Sequence, residues 1–262
     1  GYTDSALDSS KQILLLRVSN DLDTIWTKQF GDSLDNRVYD MGITPNSDYV
    51  LAGWTRTIEG NTAGLITKTD SSGNLIWIKT LDQFGSNYFQ KMEMLKDGNY
   101  VVIGTTPVAP PSQQQDFWLV KYNSQGDTLW SRTYGGVNME YAYNIKETWD
   151  GGFVMCGTTY NSFGNDEFIG QAMRTDSIGD TLWTKTISDF DCSFHCLCVT
   201  SDSSIILLGT VQDSILTDSY DYNWLIKLDS SGNKQWTQTL GSPFLDDARG
   251  IVIDSNNNLY IT

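Results

Sequence analysis

The sequence predicts an all-β protein made of tandem copies of one four-stranded antiparallel unit, on three observations. Tryptophan recurs at Trp26, Trp77, Trp130, Trp183 and Trp236, at spacings of 51, 53, 53 and 53 residues. Glycine recurs at Gly1, Gly53, Gly104, Gly157 and Gly209, at spacings of 52, 51, 53 and 52. Two independent markers on one period define an internal repeat. Turn signals recur in phase with both, as Asp150-Gly151-Gly152, Asp97-Gly98-Asn99, Ser72-Gly73-Asn74, Gln125-Gly126-Asp127, Ile178-Gly179-Asp180 and Ser231-Gly232-Asn233.

Each element follows from those signals. Tyr141 to Thr148 reads as a first strand, Phe153 to Thr159 as a second, Phe117 to Tyr122 as a third and Thr128 to Tyr134 as a fourth. Alternation and β-branched or aromatic residues support strands, and no segment carries a helical period. Glycine beside Asn or Asp supplies the positive φ that tight hairpins need, so each unit is a meander. One meander cannot bury both faces. The units must therefore pack on one another, and a β-propeller is the expected arrangement, with a β-solenoid as the alternative.

Segments such as LIKLDSSGNKQWTQTLGS, DDARGIVIDSNNNLYIT, FWLVKYNSQGDTLWSRTYGG and WDGGFVMCGTT resemble the bacterial β-propeller repeat family of seven-bladed type. The resemblance implies a secreted or surface protein of the Bacteroidota, of the kind sent out by type IX secretion. It implies a fold more than a function. No sorting domain is present, and the chain starts and stops inside a second strand, at GYT and LYIT. One propeller over 1–262 is expected, with units at about 36–83, 88–136, 141–188 and 193–241. The third and fourth strands in 1–31 (Gln12 to Arg17, Thr24 to Phe30) are expected to share a blade with the first and second in 247–262 (Ala248 to Ile253, Leu259 to Thr262). That blade would close a five-bladed ring; in a piece of a longer chain the edges would be open to pairing. With no initiator Met and no signal peptide at Gly1, the sequence reads as a mature product or a piece.

Composition narrows the function classes. Acidic residues outnumber Lys and Arg by 32 to 17, a formal charge of −15. That argues against nucleic acid, which needs clustered positive charge. The longest apolar runs, such as Ile13 to Leu16 and Ile205 to Leu208, have strand length, so no membrane insertion is expected.

Catalysis finds little in the chain. The single histidine, His195, lies in Cys192-Ser193-Phe194-His195-Cys196-Leu197-Cys198, whose spacing fits no zinc module. Strand alternation places Cys192, Cys196 and Cys198 on one face and His195 on the other. Buried thiols, or one disulfide involving Cys156, are expected there. No GxSxG elbow accompanies a serine, and the acidic residues fall mostly in turns. No catalytic residue and no metal ligand is assigned. Calcium at Asp213 to Asp221 or Asn165-Asp166-Glu167 is the cofactor alternative, although no DxDxDG pattern is present.

Recognition is expected on the connections between second and third strands, which are long and unlike one another: Trp54 to Ala63, Thr105 to Asp116, Thr158 to Glu167 and Thr210 to Tyr222. They carry Trp54, Arg56, Pro107 to Gln115, Tyr160, Phe163, Tyr220 and Tyr222, a mix suited to glycans or protein surfaces. The repeating Trp residues, with Trp118 and Trp224, are expected in the core, leaving Trp54 and Trp149 outside the pattern. Asp-Ser/Thr-aliphatic triplets resembling Bacteroidota O-glycosylation sites occur at Ser5, Thr24, Ser33, Thr128, Ser177, Thr181 and Ser214. The expected function is a non-enzymatic extracellular module binding a protein or glycan. The alternatives are a subunit that self-associates through blade edges and a carboxylate-based polysaccharide enzyme.

Overall fold

The computed structural model describes residues 2–4, 10–109, 114–161, 167–187, 191–213, 220–241 and 248–262, with the backbone alone described at 2–4, 161, 167, 212–213 and 220–221. The described residues are all-β, without a helix. Four sheets have four antiparallel strands each, in the order of the chain. They are β4 (Asn36–Ile43), β5 (Tyr49–Arg56), β6 (Thr62–Thr69) and β7 (Leu75–Leu81); β8 (Tyr88–Met94), β9 (Tyr100–Pro107), β10 (Gln115–Tyr122) and β11 (Thr128–Tyr134); β12 (Met139–Glu147), β13 (Phe153–Asn161), β14 (Glu167–Thr175) and β15 (Thr181–Ile187); and β16 (Cys192–Val199), β17 (Ile205–Asp213), β18 (Tyr220–Leu228) and β19 (Lys234–Leu240).

The expected shared blade is not what the pairing shows. β1 (Tyr2–Asp4) lies along β2 (Lys11–Val18), which pairs with β3 (Thr24–Phe30), in a three-stranded sheet. β20 (Ile251–Ile253) and β21 (Leu259–Ile261) form a separate two-stranded sheet. The edge of β2 that β21 was expected to occupy already carries β1, whose Tyr2 is opposite Ile13.

The chain forms two compact units, 1–113 with 118–133, and 114–117 with 134–262. In the first, Trp118 stacks on Phe89 at 4.7 Å, and Val50, Ile66, Val102 and Tyr122 complete the cluster. In the second, Phe194 stacks on Trp224 at 5.8 Å beside Val154, Leu207 and Ile226. Trp118 and Trp224 are 0% and 4% exposed, as expected of core. Each such side chain contributes roughly 1.5–3 kcal/mol.

Trp26, Trp77 and Trp183 each seat their sheet on the hairpin turn of the next. A carbon added at Gly73 would lie 2.8 Å from the Trp26 ring, and one at Gly126 would lie 2.8 Å from that of Trp77. Gly232 covers Trp183, whose Nε1 donates to the Ser230 carbonyl at 3.1 Å. Trp236 departs from the pattern: it is 39% exposed and lines a groove with Asp202, Ile206, Lys227 and Leu259.

The turns are built by their first residue. In the hairpins between third and fourth strands, Asp70 Oδ1 accepts from Ser72 N and Asn74 N at 2.9 and 2.8 Å, and Asp229 Oδ1 from Ser231 N and Asn233 N at 2.9 and 2.8 Å. The fourth residue is left-handed, as at Gly73 and Gly232, and Leu22 holds the same conformation at φ 65°. A cation on the third strand ties the other turn of its own sheet, in Lys68–Asp48, Lys121–Asp97, Arg174–Asp150 and Lys227–Asp202 pairs. Burial works against the Asp150 carboxylate, but bonds from Thr148 and Gly152 N and the Arg174 charge outweigh it and hold its pKa below the usual range.

The marker glycine answers a β-bulge. In the first strand of each four-stranded sheet one residue is inserted, between Val38 and Asp40, Phe89 and Lys91, Ala142 and Asn144, and Phe194 and Cys196. Such an insertion bends the strand and turns a carbonyl toward its partner. A side-chain carbon at Gly53, Gly104, Gly157 or Gly209 would lie 1.9, 1.8, 2.0 or 1.8 Å from the carbonyl oxygen of Arg37, Tyr88, Tyr141 or Ser193.

The bulge at His195 corrects the expected placement of the cysteines. One inserted residue reverses the alternation, so Cys192 packs with Cys156 and Phe194, while Cys196 and Cys198 pack with Ile206 and Leu208 in another cluster. All four thiols are buried and none is in a disulfide, the first of the two expected states.

Candidate functional site

The inserted residues of the four bulges are Tyr39, Gln90, Tyr143 and His195. A bulged residue stands outside the ladder, without a residue opposite it on the partner strand. Equivalent backbone positions thus present four side chains, three of them aromatic.

In the first compact unit, Arg37 faces Trp54 across β4 and β5, with its guanidinium 5.4 Å from the ring. Trp54 Nε1 donates to the Tyr39 hydroxyl at 3.0 Å, and Tyr39 is 48% exposed. Asp40, next to the bulge, accepts from Lys91 Nζ and Met92 N, each at 2.9 Å. The arrangement is a half-exposed aromatic pair flanked by a cation.

In the second unit, Tyr143 and His195 lie with rings 5.4 Å apart at 56°. One imidazole nitrogen is 3.4 Å from Thr210 Oγ1 and the other 3.5 Å from the exposed Arg249 Nη1. Burial and the neighbouring Tyr141 raise the Tyr143 phenol pKa against the pull of Arg249. A phenol, an imidazole and a guanidinium offer a stacking surface and several donors, which suits hydroxyl-rich or anionic ligands.

The sequence pointed to neighbouring ground. Trp54 and Arg56 lie in β5, Tyr160 in β13 and Tyr222 in β18, because pairing runs further than the turn signals suggested. The connection expected from Trp54 shrinks to Thr57 through Asn61, closed by Thr57 N to Asn61 O at 2.8 Å. Trp54 joins Arg37 and Tyr39, whereas Arg56 turns to Asp35 at 3.7 Å and the Gly60 carbonyl at 3.2 Å. Tyr160 packs on Phe168 at 4.9 Å, and Tyr222 packs against core. Phe163 and the Tyr220 side chain lie outside the described residues. Sequence reasoning missed Tyr39, Tyr143 and Arg249, since no motif marks a bulge.

Thr24, Ser33, Thr128, Ser177 and Thr181 are exposed, while Ser5 and Ser214 fall outside the described residues. Most of the two calcium-candidate loops also falls outside them. Among the described residues no group of three or more His, Cys, Asp or Glu is arranged to hold a metal, and no helix is long and apolar enough to cross a membrane.

Two carboxyls meet elsewhere in the second unit. Glu140 is 3% exposed, and its Oε2 and Asp116 Oδ1 have no hydrogen-bond partner among the described residues. Burial, then the Asp116 charge, push Glu140 up to about 7 against a bond from Gly136 N, and burial raises Asp116.

No protein-family model matches the chain, and no curated protein does. Among solved structures, it is similar to a protein of unknown function from Dyadobacter fermentans DSM 18053, with 12% identity over 86% of this chain and 74% of that one, at a TM-score of 0.54. An endo-arabinase from Bacteroides thetaiotaomicron VPI-5482 has 13% identity over 85% of this chain and 87% of that one, at a TM-score of 0.42. At such identities the first likeness speaks to fold alone, and the second is too weak to bear on activity.

Proposed function

We propose that the chain is a β-propeller whose four-stranded sheets are the blades, serving as a non-enzymatic module of a secreted or cell-surface protein that binds a glycan or a protein. The observation that carries this reading is the contrast between frame and display. Turn aspartates, marker glycines and third-strand cations repeat from unit to unit, while the bulges carry Tyr39, Gln90, Tyr143 and His195. Side chains that stand outside the ladder and vary between copies are suited to recognition. Extracellular placement rests on the repeat resemblance and the acidic composition, as does type IX export.

Glycan and protein arrays probed with the wild-type chain, Tyr143→Ala, Arg249→Ala and Tyr39→Ala test the reading. Loss of a wild-type signal in a bulge variant with unchanged melting supports it; a signal indifferent to all three variants places binding elsewhere and sinks it.

A second reading, self-association through blade edges, is favoured by Trp236, left half-open where its counterparts are covered. Concentration-dependent mass in light scattering, abolished by Trp236→Ser, would replace the first reading. Polysaccharide hydrolysis by paired carboxylates gains nothing from Asp116 and Glu140, because Glu140 is buried rather than open to a substrate.

A further inference from the structure

We infer that Asp116 and Glu140 share one proton and form a pH-sensitive lock between the third strand of one sheet and the first strand of the next. The position is a repeated seam. A strand-three residue, a glycine just after strand four and a strand-one residue of the following sheet converge there. At the seam between the first two sheets, where β2 and β3 hold the third and fourth places of the repeat, the three are Gln12, Gly31 and Asn36, and a carbon added at Gly31 would lie 2.3 Å from Gln12 Oε1 and 2.7 Å from Asn36 Nδ2. Those amides satisfy themselves locally: Gln12 Nε2 donates to the Asp32 carbonyl, and Asn36 Nδ2 to the Leu34 carbonyl at 2.7 Å and Asp32 Oδ1 at 3.1 Å. Asn87 holds the corresponding strand-one place in the next sheet, donating to the Gly85 carbonyl at 2.9 Å and accepting from Thr106 Oγ1 at 2.6 Å.

At Gly135 the same geometry carries two acids. A carbon added there would lie 2.0 Å from Asp116 Oδ1 and 2.8 Å from Glu140 Oε2, so both oxygens point into the small space that the missing side chain leaves. Amides donate as well as accept, whereas two carboxylates only accept. Neither oxygen has a donor among the described residues. The Glu140 carboxyl receives Gly136 N, and no lysine, arginine or histidine acts on either group from β10, the Gly135–Asn138 connection, β12 or β13. Thr159, directly opposite Glu140, is the nearest hydroxyl by register, and its Oγ1 has no partner among the described residues. Like charges facing one buried space do not both ionise readily, so one of the two carboxyls keeps its proton.

The consequence for stability has a definite sign. The folded-state pKa of Glu140, about 7, stands above its ordinary 4.5. Between those values the unfolded chain has released a proton that the folded chain still holds, so the stabilisation is complete below pH 4.5 and is lost as pH rises to about 7. One proton makes the unfolding constant rise tenfold per pH unit, up to about 300-fold across the window.

Urea unfolding of the full chain between pH 4 and 8.5 tests the lock. Glu140→Gln is expected to flatten the profile by that share relative to wild type, and Asp116→Asn to move its midpoint toward 4.5. The double variant Asp116→Gln/Glu140→Asn copies the amide pair at Gly31 and keeps the test alive if a single variant fails to fold. It is expected to fold and to lose the same pH dependence. Profiles parallel to wild type in the variants that fold, or no protonated-carboxyl infrared band at pH 6 that Glu140→Gln removes, would overturn the inference.

Discussion

Gly104→Ala isolates the bulge that organises every four-stranded sheet. The new methyl would lie 1.8 Å from the Tyr88 carbonyl oxygen and 2.8 Å from Phe89 Cα, against an ordinary carbon–oxygen contact of about 3.3 Å. Both obstacles are backbone, so no rotamer change relieves them, and Phe89 directly opposite is 0% exposed and stacked on Trp118. Moving the bulge away means disturbing that core. The cost should reach the upper end of overpacking penalties, about 3 kcal/mol, and lower the melting temperature by roughly 6–12 °C for a chain of this size. Gly98→Ala is the matched control. Its φ is +79° with nothing within 4 Å, so only the left-handed backbone is penalised, at about 1–2 kcal/mol. Thermal and urea unfolding followed by far-ultraviolet circular dichroism would compare the two. If Gly104→Ala costs no more than Gly98→Ala, the marker glycine is not there for the bulge and the account of the repeat fails.

Trp183→Ala should cost roughly 2–3 kcal/mol, because it uncovers the Gly232 turn and removes the donor to Ser230, whereas Trp236→Ala should cost under about 1 kcal/mol; urea midpoints compare them. Asp40→Ala removes the partner of both Lys91 and Met92 N beside the first bulge, and about 2 kcal/mol should be lost in the same assay. Asp150 has a depressed pKa, so its stabilisation is present above the ordinary carboxylate value and fades as pH falls through the lowered one; Asp150→Asn should flatten the acid limb of the stability profile below about pH 4.

The repeat period, the strand sequence and the turn positions were all legible, because each depends on residue types that have one physical use. Glycine at Gly73, Gly126 and Gly232 marks positive φ, and aspartate at the turn start marks an Asx bond. The bulges were not legible: Tyr39, Gln90, Tyr143 and His195 form no common sequence motif, and only the glycine across the ladder betrays them. That is why alternation misplaced Cys196 and Cys198 by one face. The long connections were overread for the opposite reason. Trp54, Arg56 and Tyr160 look like loop residues by composition but sit in ladders opposite Gly64, Thr62 and Phe168, because pairing runs on past the variable residues. Asp116 and Glu140 carry no local signal either, since they meet only where one sheet's third strand faces the next sheet's first.

The same device explains how one repeat supports both stability and variation. A bulge costs a ladder position, and the frame recovers it through residues fixed on every copy: the glycine that admits the turned carbonyl, the turn aspartate and its third-strand cation. Because those interactions do not involve the inserted side chain, changing Tyr143 or His195 leaves the ladder, the turn and the core contacts in place. Substitution at a bulge therefore spares the ladder and changes the surface chemistry, whereas substitution at a marker glycine is the reverse. A position that the ladder leaves open is where differences between copies accumulate, and the Tyr143–His195–Arg249 group is the most chemically differentiated product of that freedom here.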